Sequence, residues 1–554
     1  MQSVRIRFHS SLEKLAPHTA ADGPPMHEIS GLWGETVSLQ FSACFAPDYF
    51  DDCYTVLSVE CPGCRVAVYR QEQVPCTFPC LPGATGDYLL REPGLVSDPL
   101  LEYSGQAVRL NPYYSQLFWV DITIPEGAPD SFLRVSCSSR KGVCQAEQTL
   151  PLHVVPVSLP PQTARHTEWF YADCLCQQYG CAMFSDEFFV IARQYIQCAA
   201  EHGVDTLLTP IFTPSLDIER GQRRMPGQLV RITRNARGFS FDFSLLERWV
   251  QNALDCGIRW FEVAPFFTQW GAECAAEIYL DTPQGQETLF GWETPALSPA
   301  YAEFLASFLP HLIRKLEQLG IRERTFFHIS DEPSEEHLEN YRRARSMIEP
   351  YLDGCPIIDA LSCPSFYRQG LVSIPVVAED HLAPFLAQER TGPIWTYSCC
   401  CQDKLVPNVF LAMPSVRGRI LGVLMYQERL DGFLRWGYNF WNSQFSKEPV
   451  DPYRTTDAGL GFPSGDGFLV YPGRKGRPVP SIRLKLLRDA FQDMRALFVL
   501  EQQIGRAGTM QLIQACLGRI SFTEYSSDAT HFEEFRQKLN KAITQQIHSE
   551  EKDK

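Results

Sequence analysis

Long hydrophobic runs and an excess of basic residues are both missing from this sequence. No stretch approaches the roughly 20 consecutive apolar residues that a membrane-spanning helix needs. The start, MQSVRIRFHSSLEKL, alternates apolar and basic residues and lacks the apolar segment of a secretory signal. The formal net charge of −15 disfavours a nucleic-acid partner, because phosphate binding requires a basic surface. We therefore expect a cytoplasmic protein that binds neither membranes nor nucleic acids.

Motifs for catalytic metals and bound phosphates are also missing. The chain has no HExxH sequence and no histidine cluster in its carboxy-terminal two thirds. No glycine-rich phosphate loop follows the first predicted strand of that part. We therefore expect neither a catalytic metal nor a cofactor.

Cysteine, in contrast, is abundant, with 20 residues. In the cytoplasm these should be mostly reduced thiols. The three residues Cys399–Cys401 are consecutive, and neighbouring cysteines rarely form an unstrained disulfide. Cys61-Pro-Gly-Cys64, followed by Cys76 and Cys80, has a spacing near that of a zinc knuckle, so zinc is one interpretation and free thiols are the favoured one.

The chain of 554 residues is too long for one hydrophobic core, and its pattern of apolar and polar residues changes near residue 160. Short β-like runs such as VRIRF, TVSLQFSACF and FLRVSC come first, separated by turns such as CPG and PEGAPD, which predicts a β-sandwich. Extended apolar runs then alternate with helical patterns. We count eight strand candidates in this part, which favours an α/β fold with a (β/α)8 barrel over an open doubly wound sheet. The predicted domains are a sandwich at 1–160, a barrel at 161–500 and a helical carboxy-terminal extension at 501–554.

Two adjacent acids, Asp331 and Glu332, end the fourth strand candidate in FFHISDEPS. Catalytic groups of such barrels lie at the carboxyl ends of strands. Both side chains can enter one site only if the strand stops there, and Pro333 favours a stop while biasing Glu332 toward extended geometry. Ser334 would then cap the next helix. Paired carboxylates can hydrolyse glycosides, whereas the alternative is an ordinary helix start with surface acids.

Several segments together resemble glycoside hydrolase family 123 and the related domain of unknown function 4091. They are FFHISDEPS, WFYADCLCQQYGCAMFS, HGVDTLLTPIFTPSLD, WFEVAPFFTQWGAE, DGFLRWGYNFW and GDGFLVYPG with SIRLKLLRDAFQDM. The resemblance covers about residues 160–500, and the β-rich part before it is similar to the family's amino-terminal sandwich. It implies retaining, substrate-assisted removal of terminal β-linked N-acetylgalactosamine. In that chemistry Asp331 orients the substrate's acetamido group and Glu332 is the general acid and base.

Further sugar contacts should come from aromatic and polar side chains near strand ends. The predicted contacts are Trp169, Tyr171, Asp173, Gln228, Glu262, Gln269, Trp270, His328, Trp395, Tyr397, Trp436 and Asn439. Tyr397 could donate to the acetamido oxygen, as a tyrosine does in related enzymes. For each aromatic residue core packing is the alternative, and for His328 it is a satisfied buried imidazole. In the basic loop, Arg223, Arg224 and Arg231 are interpreted as solvated, with an acidic aglycone or a sulfated glycan as the alternative partner.

The expected partner is thus a glycan or glycoconjugate, and the sequence leaves a homo-oligomer open. Two alternatives to the substrate-assisted enzyme stay open. One is a glycosidase of another specificity with Glu262 as a conventional nucleophile. The other is a carbohydrate-binding protein whose barrel has lost its activity.

Overall fold

The computed structural model describes residues 4–20, 26–46 and 54–552. In this part of the chain, no helix combines the length and the apolar character needed to cross a membrane.

The amino-terminal region is rich in sheet, as predicted. Its described residues form two five-stranded sheets, with the orders β1-β3-β8-β5-β6 and β2-β10-β9-β4-β7. Their strands are β1 (Val4–Ser10), β2 (Ile29–Trp33), β3 (Thr36–Phe45), β4 (Tyr54–Glu60), β5 (Arg65–Cys76), β6 (Gly94–Glu102), β7 (Val108–Arg109), β8 (Gln116–Thr123), β9 (Ser131–Ser139) and β10 (Cys144–Ser158). Alternate residues face the core, where Phe41 of β3 stacks on Phe118 of β8 with ring centroids 4.7 Å apart.

The second part is a nearly closed barrel of eight parallel strands, which confirms the predicted count and excludes the open doubly wound sheet. The strands are β11 (Arg165–Glu168), β12 (Thr206–Thr209), β15 (Trp260–Val263), β18 (Thr325–Phe327), β19 (Ile358–Leu361), β20 (Ile374–Ala378), β21 (Trp395–Ser398) and β22 (Gly432–Arg435). The first strand pairs with the last, at Thr167 and Leu434. The strands β18 and β19 are at the two ends of the sheet and do not form a ladder with each other. A single isolated β-bridge, from Phe327 to Ile357, connects these two ends.

Three hairpins lie outside the barrel sheet. They are β13 (Arg231–Asn235) with β14 (Gly238–Asp242), β16 (Ile278–Thr282) with β17 (Gly285–Phe290), and β23 (Val470–Pro472) with β24 (Pro478–Pro480). The sequence patterns predicted an irregular polar loop where β13 begins. The arginine-rich alternation of this segment instead forms a two-stranded hairpin on the outside of the barrel.

The helices follow the barrel strands and pack around them. They are α1 (Ala172–Tyr179), α2 (Asp186–Glu201), α3 (Ser244–Asp255), α4 (Pro299–Gln318), α5 (Leu338–Leu352), α6 (Ser365–Arg368), α7 (Ala383–Leu386), α8 (Ser415–Glu428), α9 (Ile482–Leu517) and α10 (Ala529–Lys552). Gly257 and Gly320, predicted to end α3 and α4, have φ values of 97° and 67°. Such left-handed backbone suits glycine after a helix.

The long helix α9 joins the two parts of the molecule. On one side it packs against α8 so closely that a Cβ atom on Gly422 would lie 1.8 Å from the carbonyl oxygen of Ala490. On the other side it carries Lys485 and Arg488, which both pair with the buried carboxylate of Asp121 on β8 (2.6 and 3.0 Å). The predicted domain limit at residue 500 falls inside α9, and the division itself stays a prediction.

Candidate active site

The loop after β18 carries the acid pair and is tied to the loop after β15. Phe267 donates its backbone N–H to the carbonyl of Ile329 (3.2 Å), and Trp270 donates to the carbonyl of Asp331 (2.8 Å). The hydroxyl of Ser330 accepts two further backbone N–H groups of the β15 loop (3.1 and 3.0 Å). The loops after β15 and β18 thus continue the pairing of their strands beyond the end of the barrel. These hydrogen bonds hold the backbone of Asp331 and Glu332 in place.

Glu332 turns the chain. Its φ is 45°, in the left-handed region, so the extended geometry predicted for a residue before Pro333 is wrong. In an extended segment Asp331 and Glu332 would point to opposite faces. The turn instead brings the Glu332 carboxylate to Tyr397 on β21, whose hydroxyl donates to Oε1 at 2.7 Å. A non-glycine residue in this region costs about 1–3 kcal/mol, which the surrounding contacts must offset.

The next helical segment starts at Ser334, as predicted. Ser334 has the extended backbone of an N-cap residue (φ −89°, ψ 170°), and its N–H donates to Nδ1 of His337 at 3.2 Å. One 3-10 turn, Glu335–His337, precedes α5. The two acids of this turn stand at the positive end of the helix, where carboxylates are favourable.

Both carboxyl groups of the pair are half-buried, and their pKa values are raised. Burial raises the pKa of Asp331 well above its usual range, and the like charge of Glu332 adds to this effect. Burial also raises the pKa of Glu332, while the hydrogen bond from Tyr397 works in the opposite direction. The head groups are therefore close enough to repel each other, and such a pair keeps one proton to a higher pH than isolated acids do.

A buried network lies beside the pair. Nε2 of His328 is 2.6 Å from Oε1 of Glu262, and Nδ1 is 2.8 Å from Oδ1 of Asp359. The indole N–H of Trp169 also donates to Oε1 of Glu262 (2.7 Å), and the hydroxyl of Thr167 donates to Oε2 (2.7 Å). Four barrel strands or strand ends thus meet in one chain of hydrogen bonds.

The imidazole of His328 is charged in this network. Burial alone would lower its pKa, but the hydrogen bonds to Asp359 and Glu262 outweigh burial and raise the pKa to about 10. Both oxygens of Glu262 are occupied, and its side chain has no exposed surface. Glu262 therefore has no free oxygen for a conventional nucleophilic attack, which disfavours that rival mechanism.

Two predicted contacts of the first strand lie elsewhere than expected. The strand ends at Glu168, so Tyr171 and Asp173 do not continue it; Tyr171 precedes α1 and Asp173 lies in its first turn. Asp173 forms a buried, bidentate salt bridge with Arg224 (2.9 and 3.0 Å). Arg224 is thus a buried structural residue, and the interpretation of it as solvated is wrong.

Tyr171 itself stays close to the acid pair. The side-chain amide of Asn439 accepts the backbone N–H of Tyr171 and donates to the backbone carbonyl of Tyr171 (2.9 Å each). Asn439 therefore positions Tyr171, and its amide has no free group for the sugar contact predicted for it. The Tyr171 hydroxyl is buried and has no hydrogen-bond partner within the described chain. Burial raises the pKa of Tyr171 well above its usual value, the charge of Arg224 opposes this rise, and the charges of Asp217 and Asp331 add to it.

Three other predicted contacts have structural tasks. The side-chain amide of Gln228 is bonded to the backbone of Tyr279, because its Oε1 accepts the N–H and its Nε2 donates to the carbonyl (2.8 Å each). Gln269 likewise braces the loop at Asp217 (3.0 Å). Trp395 is 1% exposed and packs edge-on against Phe326 in the core (centroids 5.0 Å apart). We exclude these three side chains from the sugar-binding surface because none offers a free group or face.

Two tryptophans remain as possible platforms for a sugar ring. Trp270 is 44% exposed, and its backbone is bonded to Asp331. Trp436 is half-buried, and its indole N–H donates to Asp466 (3.0 Å). Burial raises the pKa of Asp466 to about 6, so this acid titrates near neutrality.

Sequence reasoning missed Asp359 and Asp466, and it missed the burial of Arg224. Asp359 had a visible signal, because it interrupts the apolar run of the fifth strand in CPIIDAL. An acid buried in a barrel strand needs a partner, and the histidine at the end of the neighbouring strand was available. Arg224 and Asp466 lie in long loops, whose patterns do not indicate burial.

The zinc-knuckle interpretation of the amino-terminal cysteines is wrong. Cys61 and Cys64 precede β5, whereas Cys76 ends that strand and Cys80 follows it. At about 3.3 Å per residue, the 12-residue strand separates the two pairs by more than 30 Å. Four ligands so far apart cannot share one ion.

The amino-terminal sheets support a loop at the site. The hydroxyl of Ser464 accepts the N–H of Phe78 (3.1 Å), and the hydroxyl of Thr456 donates to the carbonyl of Pro75 (2.6 Å). Residues 456–466 lead to Asp466, the partner of Trp436. The sheet-rich region therefore helps to fix the loop that carries the hydrogen-bond partner of Trp436.

Comparison with known proteins decides the family. The sequence profile described as "Glycoside hydrolase 123, catalytic domain" matches residues 169–500, well over half of the chain. The chain belongs to glycoside hydrolase family 123. It is therefore a glycoside hydrolase, and the matched residues include the acid pair, the histidine network and Tyr397. No curated protein sequence matches the chain.

Solved structures support the same fold for this family 123 chain. A family 123 glycoside hydrolase from Clostridium perfringens, studied for glycolipid glycan hydrolysis, is 13% identical, with a TM-score of 0.72 and 98% of each chain covered. The β-glucuronidase of Bacteroides uniformis is 11% identical, with a TM-score of 0.29 and coverage of 86% of this chain and 49% of that one. Only the first is similar enough to bear on the fold.

Proposed function

We propose that the protein is a retaining exo-glycosidase that removes terminal β-linked N-acetylhexosamine, with N-acetylgalactosamine as the preferred sugar. The turn at Glu332 carries this proposal, because it lets two consecutive acids serve one cleft. The structural neighbour from Clostridium perfringens was studied for glycolipid glycan hydrolysis, so glycolipid glycans are suitable first natural substrates.

In the first step the acetamido oxygen of the substrate attacks the anomeric carbon. Asp331 accepts the acetamido N–H and stabilises the positive charge that develops on the oxazolinium-like intermediate. Glu332 donates its proton to the departing oxygen, and the rise in its pKa on burial favours the protonated form that this step needs. In the second step Glu332 takes a proton from water, which attacks the anomeric carbon and restores the configuration.

Tyr397 and the histidine network have supporting roles. Tyr397 donates to Glu332 when no sugar is present. The acetamido oxygen of the substrate is the second acceptor proposed for its hydroxyl. His328 holds Glu262 and Asp359 in fixed positions below the pair, and both carboxylates are then unavailable for attack. Trp270 and Trp436 are the proposed platforms for the apolar faces of the glycan.

The decisive test compares aryl β-glycosides with and without the 2-acetamido group. Substrate assistance requires turnover of the N-acetylgalactosaminide and almost none of the matched galactoside, with inhibition by a thiazoline analogue. Similar rates on both substrates would establish a conventional nucleophile instead. Binding without turnover of either would establish a carbohydrate-binding protein.

Variants of the pair separate the two roles. Glu332→Gln should lower kcat by about 10²-fold or more on a substrate with a poor leaving group, and less with a good one, because only the poor one needs the acid. Asp331→Asn should slow both substrates alike, since it weakens the attack itself. Glu336→Gln, an 81% exposed acid in the next turn, is the matched control and should keep full activity. Full activity in both pair variants would refute the assignment.

A further inference from the structure

The thiol cluster, Cys399–Cys401, follows directly after β21, the strand that carries Tyr397. The three Sγ atoms all lie within 4.8 Å of one another, and those of Cys400 and Cys401 are 3.9 Å apart. Cys399 and Cys400 are half-buried and Cys401 is exposed. Within the described residues, no other group of three potential ligands converges in this way.

The loop that carries the thiol cluster is braced by side-chain amides. Gln402 accepts the backbone N–H of Cys399 at Oε1 (3.0 Å) and donates from Nε2 to Asp380 (3.0 Å). Asn408 donates to the carbonyls of Cys399 and Gln402 (3.0 and 3.1 Å), and Arg435 in turn donates to Asn408 (3.0 Å). The three thiols are therefore held together by the fold and do not depend on a ligand to assemble.

The separation of the thiols matches a coordination sphere better than a disulfide. A zinc–thiolate bond of about 2.3 Å places neighbouring sulfur ligands about 3.8–4.0 Å apart. The 3.9 Å between Cys400 and Cys401 agrees with this spacing. A disulfide between adjacent residues would instead be strained. Soft sulfur ligands select zinc, cadmium or copper(I) over magnesium or calcium.

We propose that the thiol cluster binds one thiophilic cation, zinc in the first instance, and that the bound cation inhibits the hydrolase. Three thiols lose their protons to water as three sulfur–metal bonds form, so a divalent ion yields a complex with one net negative charge. The fourth position of the ion remains open to water. No redox step is involved.

The position of the thiol cluster explains the inhibition, which rests on the proposed function. Cys399 lies two residues beyond Tyr397, the partner of Glu332. A rigid three-sulfur complex two residues beyond Tyr397 crowds the space beside Glu332 and restricts the approach of the sugar to this acid and base.

A cadmium titration of the full-length, reduced protein tests the site without relying on turnover. Thiolate-to-cadmium charge-transfer absorbance should show one tight equivalent that the C399S/C400S/C401S variant loses. The C61S/C64S variant removes a pair of neighbouring thiols in the amino-terminal sheets and should keep that equivalent. The single variant C401S, at the exposed thiol, should weaken binding at least 10-fold, and it covers the case in which the triple variant fails to fold. Equal cadmium binding by all four proteins would overturn the site.

Zinc inhibition tests the second half of the proposal. One equivalent of zinc should lower the turnover of an aryl N-acetylgalactosaminide at least 10-fold in the wild type, and a chelator should restore it. The ratio of rates with and without zinc should be near one in the triple variant. Tight cadmium binding without zinc inhibition would overturn the inhibitory role alone. If no protein turned over the substrate, the proposed function would fail, while the cadmium result would still decide the cation site.

Discussion

Replacing Tyr397 by phenylalanine should move the pH profile of hydrolysis toward higher pH. The hydroxyl donates to Oε1 of Glu332 at 2.7 Å and so stabilises the ionised carboxylate. Its loss removes the one hydrogen bond that opposes the effect of burial, and the pKa of Glu332 rises further. The first step needs Glu332 protonated, so activity falls as the pH rises through this pKa. In the variant that fall should come later.

The size of the shift follows from the strength of the hydrogen bond. A hydrogen bond to a charged group contributes about 1.5–3 kcal/mol, and one pKa unit corresponds to about 1.4 kcal/mol. The basic limb of kcat/KM should therefore move up by about 1–2 pH units. The maximal rate should also fall, because the variant has no donor for the acetamido oxygen.

The assay should use an aglycone with a poor leaving group, so that protonation limits the rate. The profile of kcat/KM against pH then reports the free enzyme's acid. Tyr367→Phe is the matched control, because it removes a hydroxyl that is bonded to Thr391 and not to the acid pair. A basic limb that stays in place or moves to lower pH in Tyr397→Phe would refute the reasoning.

Three further predictions concern stability, measured as the free energy of unfolding by denaturant titration. Both oxygens of Glu379 are buried without a partner in the described chain, and burial raises its pKa well above the usual value. Glu379→Gln should therefore stabilise by about 1–3 kcal/mol at pH 8 and by less as the pH is lowered, because more of the wild-type acid is then protonated. Arg224→Met leaves Asp173 buried without its partner and should cost about 3–5 kcal/mol. Gly422→Ala, whose Cβ would collide with the carbonyl of Ala490, should cost about 3 kcal/mol.

Each of these predictions has a control in the chain. Glu336→Gln, at an exposed acid, should leave stability unchanged at both pH values. Adding Asp173→Asn to Arg224→Met should recover part of the loss, since it removes the stranded charge. Gly86→Ala meets no atom within 4 Å and should be nearly neutral, so an equal loss at Gly86 and Gly422 would contradict the packing argument.

Hydrophobic periodicity was sufficient to predict the barrel and the place of the acid pair. Buried parallel strands are short apolar runs between helices, and each of the eight was recognisable from this pattern. In a barrel, the end of a strand is also the place of the site. Asp331 and Glu332 could therefore be placed at the rim from the run FFHIS and the proline after the pair.

The contacts of the site were less predictable than its position. Trp169, Asn439 and Gln269 have side chains that suit a sugar, yet each is satisfied by a protein group from another strand or loop. Which partner such a residue finds depends on loop paths, and those carry no periodic signal. The left-handed turn at Glu332 shows the same limit, because local preference before Pro333 favoured an extended residue and tertiary contacts prevailed.

Burial is the main reason that the acid pair holds a proton more tightly than isolated acids do, because it is the largest cause of the raised pKa of both Asp331 and Glu332. The charge of Glu332 comes second at Asp331, whereas the hydrogen bond from Tyr397, which lowers the pKa, comes second at Glu332. The charge of His328 lowers the pKa of Asp331, whereas Asp359 raises it, so the network adjusts the proton affinity without creating it. A sugar that enters the site displaces water from Glu332 and should raise the pKa of Glu332 further, whereas the N–H that the sugar donates to Asp331 favours the ionised form of that acid. Substrate binding therefore strengthens the hold on the proton that the leaving group needs, and Tyr397 is the group that limits this rise at Glu332.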